Sequence, residues 1–163
     1  MGKKQEIILK TKKLYVMKSN LPDAGFGLFT FFPIKKGESL GPYKGKLLTM
    51  EQCYEERYFH LWSHMLDLTN IDGIEPYVAI HPPETMILRY INHAPGSVDG
   101  KKIGGKWGVN VEFSRMDAYP YIEILAIKDI DANSELFLNY GPGFSKKFLN
   151  NPKLKKFYLS KVR

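Results

Sequence analysis

Two short segments carry the residues best equipped for chemistry. One is 89-RYINHAPG-96, which sets Asn92 beside His93 between an apolar run and a proline-glycine break. The other is 135-ELFLNYGPG-143, where an apolar run ends at Asn139 and Tyr140 before glycine and proline. An amide, an imidazole and a phenol supply donors and acceptors of different strength. On residue types alone they read in two ways. They are two ordinary loops, with Asn92-His93 a loop cap or satisfied polar pair and Tyr140-Gly141 a strand end. Or they are two edges of one site.

Other constellations are weaker. His60 and His64 stand four apart on a predicted helix, a spacing that suits a metal. No glutamate follows His60 as in a zinc protease, and no third ligand is evident, so packing is preferred and no metal is expected. Gly25-Phe26-Gly27 lacks the third glycine of a dinucleotide fingerprint, and no helix obviously follows it. Cys53 is the one cysteine, which excludes a disulfide framework and a cysteine-built zinc site and suits a reducing, intracellular setting. The start, MGKKQEIILK, is too short and polar for a signal peptide, and Glu6 breaks the myristoylation pattern. No apolar run reaches the ~20 residues of a membrane span, so no membrane partner is expected.

A chain of 163 residues, 44% apolar and 13% aromatic, suits one domain with a real core. The net charge of +7 is uneven. Residues 144–163 hold Lys146, Lys147, Lys153, Lys155, Lys156, Lys161 and Arg163 and no acidic residue, while the other 17 basic residues balance the 17 acidic ones. A solubilising face is the preferred reading. The alternative is an electrostatic guide toward an acidic or nucleic-acid-associated partner, held only weakly through phosphates.

Short strands must position these residues. Gly and Pro total 24 and fall throughout, so elements are short and turns many. Strands are expected at 7–10, 14–18, 28–32, 77–81, 108–113, 121–127 and 135–140, with 38–48 one extended, bent strand. The single long helix is expected over 49–65, with Thr49 and Gln52 as its capping box. A brief helix over 83–91 leads into Asn92. The tail, 144–163, holds one or two helices broken at Pro152. The fold class is mainly β with short helices; strand–helix–strand units are missing.

In this order the pieces resemble the SET-domain protein lysine methyltransferases, in a compact stand-alone form of viral or bacterial type. The segment 25-GFGLFTFFPIKKGESL-40 is similar to the family's opening Gly-x-Gly turn, strand and Lys-Gly-Glu turn. The segment 43-YKG-45 matches its Tyr-x-Gly strand. The segment 89-RYINH-93 looks like its Arg-Phe/Tyr-x-Asn-His motif, and 135-ELFLNYG-141 like its Glu-Leu-x-x-x-Tyr segment. There are departures. Ala94-Pro95 stands where most relatives continue with Ser-Cys. The cysteine-rich zinc flank of many relatives is missing. The glycine-rich stretch 96-GSVDGKKIGGKWG-108 is longer than in many relatives. Leu138 stands where many carry Phe or Tyr.

The resemblance implies a β-clip-like fold of several small sheets with a knot-like C-terminal crossing. It implies a SET domain over 1–143, with a helix-containing insert at 49–82, and a basic aromatic flank at 144–163. It implies S-adenosyl-L-methionine as cofactor and a protein lysine as substrate, with histones among the candidates. A neutral lysine amine would attack a methyl group on a sulfonium, a reaction that needs alignment and a deprotonated amine. The sulfonium charge and burial both depress the amine's pKa.

Tyr140 would be the central catalytic residue. Tyr43 would line the lysine channel and bond the amine, with Leu138 and Trp107 beside it; Trp107 reads equally as a local anchor. The backbone around Gly25, Phe26 and Gly27 would face the cofactor, and Asn92 would bind its methionine end. His93 would bond adenine through its backbone and pin the crossing with its side chain. Arg89 would be structural. Phe148, or another of Phe144, Phe157 and Tyr158, would cover the cofactor. Compact relatives of this kind can be homodimers, and a viral or bacterial-effector origin would place the protein in a host nucleus. The competing functions are a catalytically inactive binding module on the same fold and a basic nucleic-acid or chromatin-associated protein.

Overall fold

Apolar runs of four or five residues, cut by turn residues, form paired strands before they can form helices. In the computed structural model, which describes residues 6–59, 65–69 and 72–162, β1 (Leu9–Lys10), β2 (Leu14–Lys18) and β3 (Phe26–Thr30) form an antiparallel sheet in that order. The turn before β3 needs left-handed backbone at Asp23 (φ 58°) and Gly25 (φ 68°), conformations that Asp and Gly accept at low cost. β3 begins two residues earlier than expected, so Phe26 and Gly27 lie in the strand itself.

The extended strand expected over 38–48 is two strands in different sheets, β4 (Ser39–Pro42) and β5 (Lys46–Thr49). Gly41, at φ 112°, bends β4 within its own length. Gly45 packs so tightly on the His81 carbonyl that a side chain there would collide with it.

The long helix expected over 49–65 is also divided. The Thr49–Gln52 capping box is present, with Gln52 N–H donating to Thr49 Oγ1 at 3.3 Å and Thr49 N–H donating to Gln52 Oε1 at 3.0 Å. It opens only α1 (Met50–Cys53), and α2 (Glu56–Phe59) follows after a break at Tyr54. No residue of α1 is buried. A helix this short, with no packed face, has nothing to propagate it. Residues 60–64, with His60 and His64, lie outside the described residues. By Leu66 the chain is already a strand, β6 (Leu66–Asp67).

β7 (Tyr77–His81) matches its expected limits and pairs with both β5 and β6. The helix expected over 83–91 is a single 3-10 turn, Ile87–Tyr90. That tighter geometry suits a connector, and it delivers β8 (Asn92–His93) in extended form. The glycine-rich stretch holds a small hairpin, β9 (Ser97–Val98) and β10 (Lys101–Lys102). Its Asp99-Gly100 turn has φ of 47° and 75°, the doubly left-handed type that suits a two-residue hairpin. β11 (Val111–Arg115) and β12 (Ile122–Ala126) join β4 in the order β11-β12-β4. β13 (Phe137–Leu138) pairs with β8 alone. The tail forms α3 (Pro142–Leu149) and α4 (Pro152–Leu159), divided just before Pro152 as expected.

Two apolar clusters hold these pieces. The larger joins the sheets through residues such as Val16, Leu28, Ile80, Ile124 and Leu136. The smaller seats α4 by Leu154 and Tyr158 against Leu21, Ala94, Val98 and Phe137.

Candidate active site

The two segments that opened the sequence question lie side by side. β8 and β13 run parallel, with Asn92 opposite Phe137 and His93 opposite Leu138. The pairing continues through Ala94 N–H to the Leu138 carbonyl at 2.9 Å. Asn110 clamps the second segment from within the core. Its Nδ2 donates to the Glu135 carbonyl at 2.9 Å, and its Oδ1 accepts from Phe137 N–H at 2.8 Å. Parallel neighbours far apart in sequence require a long return connection, and that return makes the C-terminal segment cross beside the earlier one.

His93 fastens the crossing. Its Nδ1 accepts from Tyr140 N–H at 3.0 Å. The ring proton therefore sits on Nε2, which donates to Ser145 Oγ at 2.9 Å. Ser145 in turn donates to the Gly141 carbonyl at 3.1 Å. Burial pushes the His93 pKa down to about 4, so the ring is neutral near pH 7. The Tyr140 hydroxyl donates to the Ile91 carbonyl. Tyr43 is 5% exposed, with its ring edge-on to Phe113 at 5.6 Å. Burial raises the pKa of both phenols, and nearby Tyr140 adds to the effect at Tyr43. Both hydroxyls stay protonated donors.

Two cavities approach this crossing. One, of about 340 Å³, is lined by Tyr43, Leu138 and Tyr140 among apolar neighbours such as Leu88 and Phe113. The other, of about 410 Å³, is lined by Phe26, Asn92, His93, Tyr140 and Phe148. Arg89, Tyr140 and Phe144 line both. Arg89 is buried, and its Nε has no hydrogen-bond partner among the described residues.

Glu135 received no role from the sequence, yet it ties the second cavity together. It is 3% exposed. Its Oε1 accepts from Ser19 Oγ at 2.6 Å and from Asn92 Nδ2 at 3.2 Å, and its Oε2 accepts from Asn20 N–H at 2.8 Å. Burial still raises its pKa above the ordinary carboxylate value, although these bonds oppose the shift. Gly27 makes room for it, because a Cβ at that position would strike Glu135 Oε1. The signal was present in ELFL, where a single acid opens an apolar strand. A buried acid needs several donors, and Ser19, Asn20 and Asn92 supply them.

Asn92 uses its Nδ2 twice, toward Glu135 and toward the Phe26 carbonyl at 2.9 Å. Its Oδ1 makes no hydrogen bond among the described residues. Phe26 is 46% exposed where it borders this cavity.

The tail supplies the remaining walls. Gly141, at φ 102°, turns the chain into α3, and Pro142 opens the helix. Phe144 and Phe148 both set their rings edge-on to His93 at 5.0 Å, and Phe144 also meets Tyr140 at 5.0 Å. Tyr158 backs Phe148 from the core at 6.0 Å. Trp107, expected in the substrate channel, lines neither cavity that Tyr140 lines. It packs edge-on to Phe157 at 5.0 Å, which makes it a local anchor. The glycine-rich stretch folds into its own hairpin against α4 and carries Trp107 away from the channel.

Comparison with known proteins gives this geometry a context. The family model of the SET domain matches residues 25–141. The histone-lysine N-methyltransferase EZH2 of Chaetomium thermophilum is 33% identical over 141 residues, which cover 82% of this chain and 8% of that protein. The crystal structure of the Chaetomium thermophilum polycomb repressive complex 2 aligns at a TM-score of 0.59 and 28% identity, over 82% of this chain and 16% of the matched one. A humanized mutant of that complex, bound to the inhibitor GSK126, aligns at 0.58 and 31% identity, over 81% and 15%. The chain thus spans only a small part of the length of these relatives.

Proposed function

The chain belongs to the SET-domain family, and we propose that it transfers a methyl group from S-adenosyl-L-methionine to the side-chain amine of a protein lysine. The observation that carries this reading is the pair of cavities sharing Tyr140. A transfer between two bound partners needs two compartments that meet at one point, with the reacting atoms in line.

The second cavity suits the cofactor. Asn92 offers an acceptor not used among the described residues, which fits the ammonium of a methionine moiety. Phe26 and Phe148 supply apolar surface for the rest. Bound there, the cofactor would supply an electrophilic methyl on a sulfonium. The first cavity suits the lysine. Apart from Asp67, Arg89 and Asn139 its walls are apolar or aromatic and suit an aliphatic side chain, and burial and the Arg89 charge favour the neutral amine that must attack. Tyr43 would hydrogen-bond and orient that amine. Tyr140 would stand at the passage between the cavities, with its ring held by the backbone bonds on both sides. His93, neutral and fixed by its bonds to Tyr140 N–H and Ser145 Oγ, would hold the two segments in register and take no proton. The Ile91 carbonyl, already fixed by the Tyr140 hydroxyl, would add a weak C–H···O acceptor for a polarised methyl. A histone lysine is the substrate named for the relative, so core histones are the first substrates to offer.

The test is direct. The purified protein is titrated with the cofactor by calorimetry and incubated with methyl-labelled cofactor, alone and with core histones. Saturable binding and label on a lysine are expected. Absence of both would remove the enzyme reading and leave a binding module on the same fold.

A further inference from the structure

Two segments that the methyl-transfer site does not use come together on Trp107. One is the glycine-rich stretch after Asn92-His93; the other is the end of the basic tail. Lys106 Nζ lies 4.9 Å from the Trp107 ring and Lys161 Nζ 5.0 Å from it. Lys161 also lies 5.0 Å from the Phe157 ring, which meets Trp107 edge-on. Lys155 bonds Asp99 at 3.2 Å and so fastens α4 to the β9–β10 hairpin, whose second strand is Lys101-Lys102. Lys128 reaches the Gly105 carbonyl at 2.7 Å and holds the turn that carries Trp107.

The acids on this side, Asp99, Asp129 and Asp131, are fewer than its lysines. Lys101, Lys102, Lys106 and Lys161 are exposed, and none forms an ion pair among the described residues. Lysines scattered by chance repel one another weakly and point apart. Here two ammonium groups are drawn onto one indole by its ring quadrupole, and β10 of the adjoining hairpin adds Lys101 and Lys102, one to each side of the strand. Several unpaired cations on separate rigid elements match a row of anions better than a single anion.

We propose that this face, built around Trp107, binds the phosphate backbone of a nucleic-acid duplex. A duplex is favoured over a single strand because the Trp107 ring is already taken by Lys106, Lys161 and Phe157. Bases would find no free aromatic face to stack on, and stacking is what holds single strands. Phosphate contact remains, which is independent of sequence and releases counterions. The face lies apart from both cavities that Tyr140 lines, so duplex binding does not depend on methyl transfer.

The experiment measures binding of a short labelled DNA duplex by fluorescence anisotropy across a salt series. The variants are a quadruple one, Lys101→Ala with Lys102→Ala, Lys106→Ala and Lys161→Ala, and a control that removes equal charge elsewhere, Lys10→Ala with Lys12→Ala, Lys36→Ala and Lys44→Ala. All eight lysines are exposed, and far-ultraviolet circular dichroism checks folding. The wild type should bind with a salt slope that loses about 0.9 per phosphate contact removed. The quadruple variant should lose roughly tenfold or more in affinity, and its slope should flatten by about that amount per lysine. The control should keep the wild-type slope. Equal losses in both variants would mean that only net charge matters and would overturn the proposal. So would no duplex binding by the wild type at low salt, tighter binding of a single strand, or displacement of the duplex by polyglutamate at equal charge. The last result would point to an acidic protein surface instead.

Discussion

The backbone N–H of Tyr140 donates to His93 Nδ1 at 3.0 Å, so the side chain of one motif holds the main chain of the other. Neither segment could reach this arrangement alone. β8 and β13 are two residues each, too short to fix a register without the histidine and Asn110.

Acid should loosen this lock. The folded His93 pKa is about 4 against an ordinary 6.5. Between those values the unfolded chain binds a proton that the folded chain does not, so stability rises with pH there. The stability is full above about 6.5 and falls as pH drops toward 4. Glu135, with its raised pKa, contributes in the opposite sense, so a difference measurement is needed. Chemical denaturation of the wild type and His93→Gln between pH 4 and 7 should give the variant the shallower rise with pH. Equal slopes would mean that His93 is not the titrating group.

Removing the Tyr140 hydroxyl should stop chemistry and spare the fold. Tyr140→Phe keeps the ring against Phe144 and His93. Turnover at saturating cofactor should fall by about a hundredfold, the scale set by misalignment of a reacting pair. Cofactor affinity measured by calorimetry should stay near that of the wild type. Undiminished turnover would show that Tyr140 is not the central residue.

Much of this site was legible in residue order, and some was not. Asn92, His93 and Tyr140 were readable because rare polar types end apolar runs, and the parallel β8–β13 pair brings them together. The break between the tail helices was readable from Pro152. The long helix over 49–65 was not, because its capping box is genuine but local, and the packing that would extend it is missing over Met50–Cys53. Glu135 stayed hidden because its role depends on Ser19 and Asn20 at the other end of the chain. Trp107 stayed open between channel and anchor because nothing in a glycine-rich run says which way its one large ring will turn.

Glu135 should act on the cofactor through Asn92. Its carboxylate takes one N–H of the amide, which turns Oδ1 toward other partners. Glu135→Gln should raise the cofactor dissociation constant about tenfold, the scale of one charge-assisted hydrogen bond. Asn92→Ala should do at least as much. The double variant should be little worse than Asn92→Ala, since groups in one network are not additive. Fully additive losses would show that Glu135 supports the fold and does not orient Asn92.

The tail should bear on cofactor binding. Removing residues 144–163 would also strip the buried Leu154 and Tyr158 from the second core, so a point change is cleaner. Phe148→Ala should weaken cofactor binding, while Phe157→Ala, which loosens contacts to Trp107, Tyr158 and Lys161 but none to His93, should leave it near the wild-type value. Equal affinities in all three proteins would make the tail a charged appendage.

Leu138 should set the number of methyl groups. It lines the cavity shared with Tyr43 and Tyr140, and it has no hydroxyl to hold a water there. The space should admit a lysine that already carries methyl groups. Mass spectrometry at long reaction times should therefore find di- or trimethyl-lysine, and Leu138→Tyr should move the product back toward monomethyl. An exclusively monomethyl product from the wild type would sink this idea.

The most direct measurement is a crystal structure with S-adenosylhomocysteine and a lysine peptide bound together. The sulfur should sit in the cavity of Asn92, His93 and Phe148, and the lysine amine in the cavity of Tyr43 and Leu138, facing each other past Tyr140. Both ligands in one cavity, or the cofactor away from Asn92, would contradict the account.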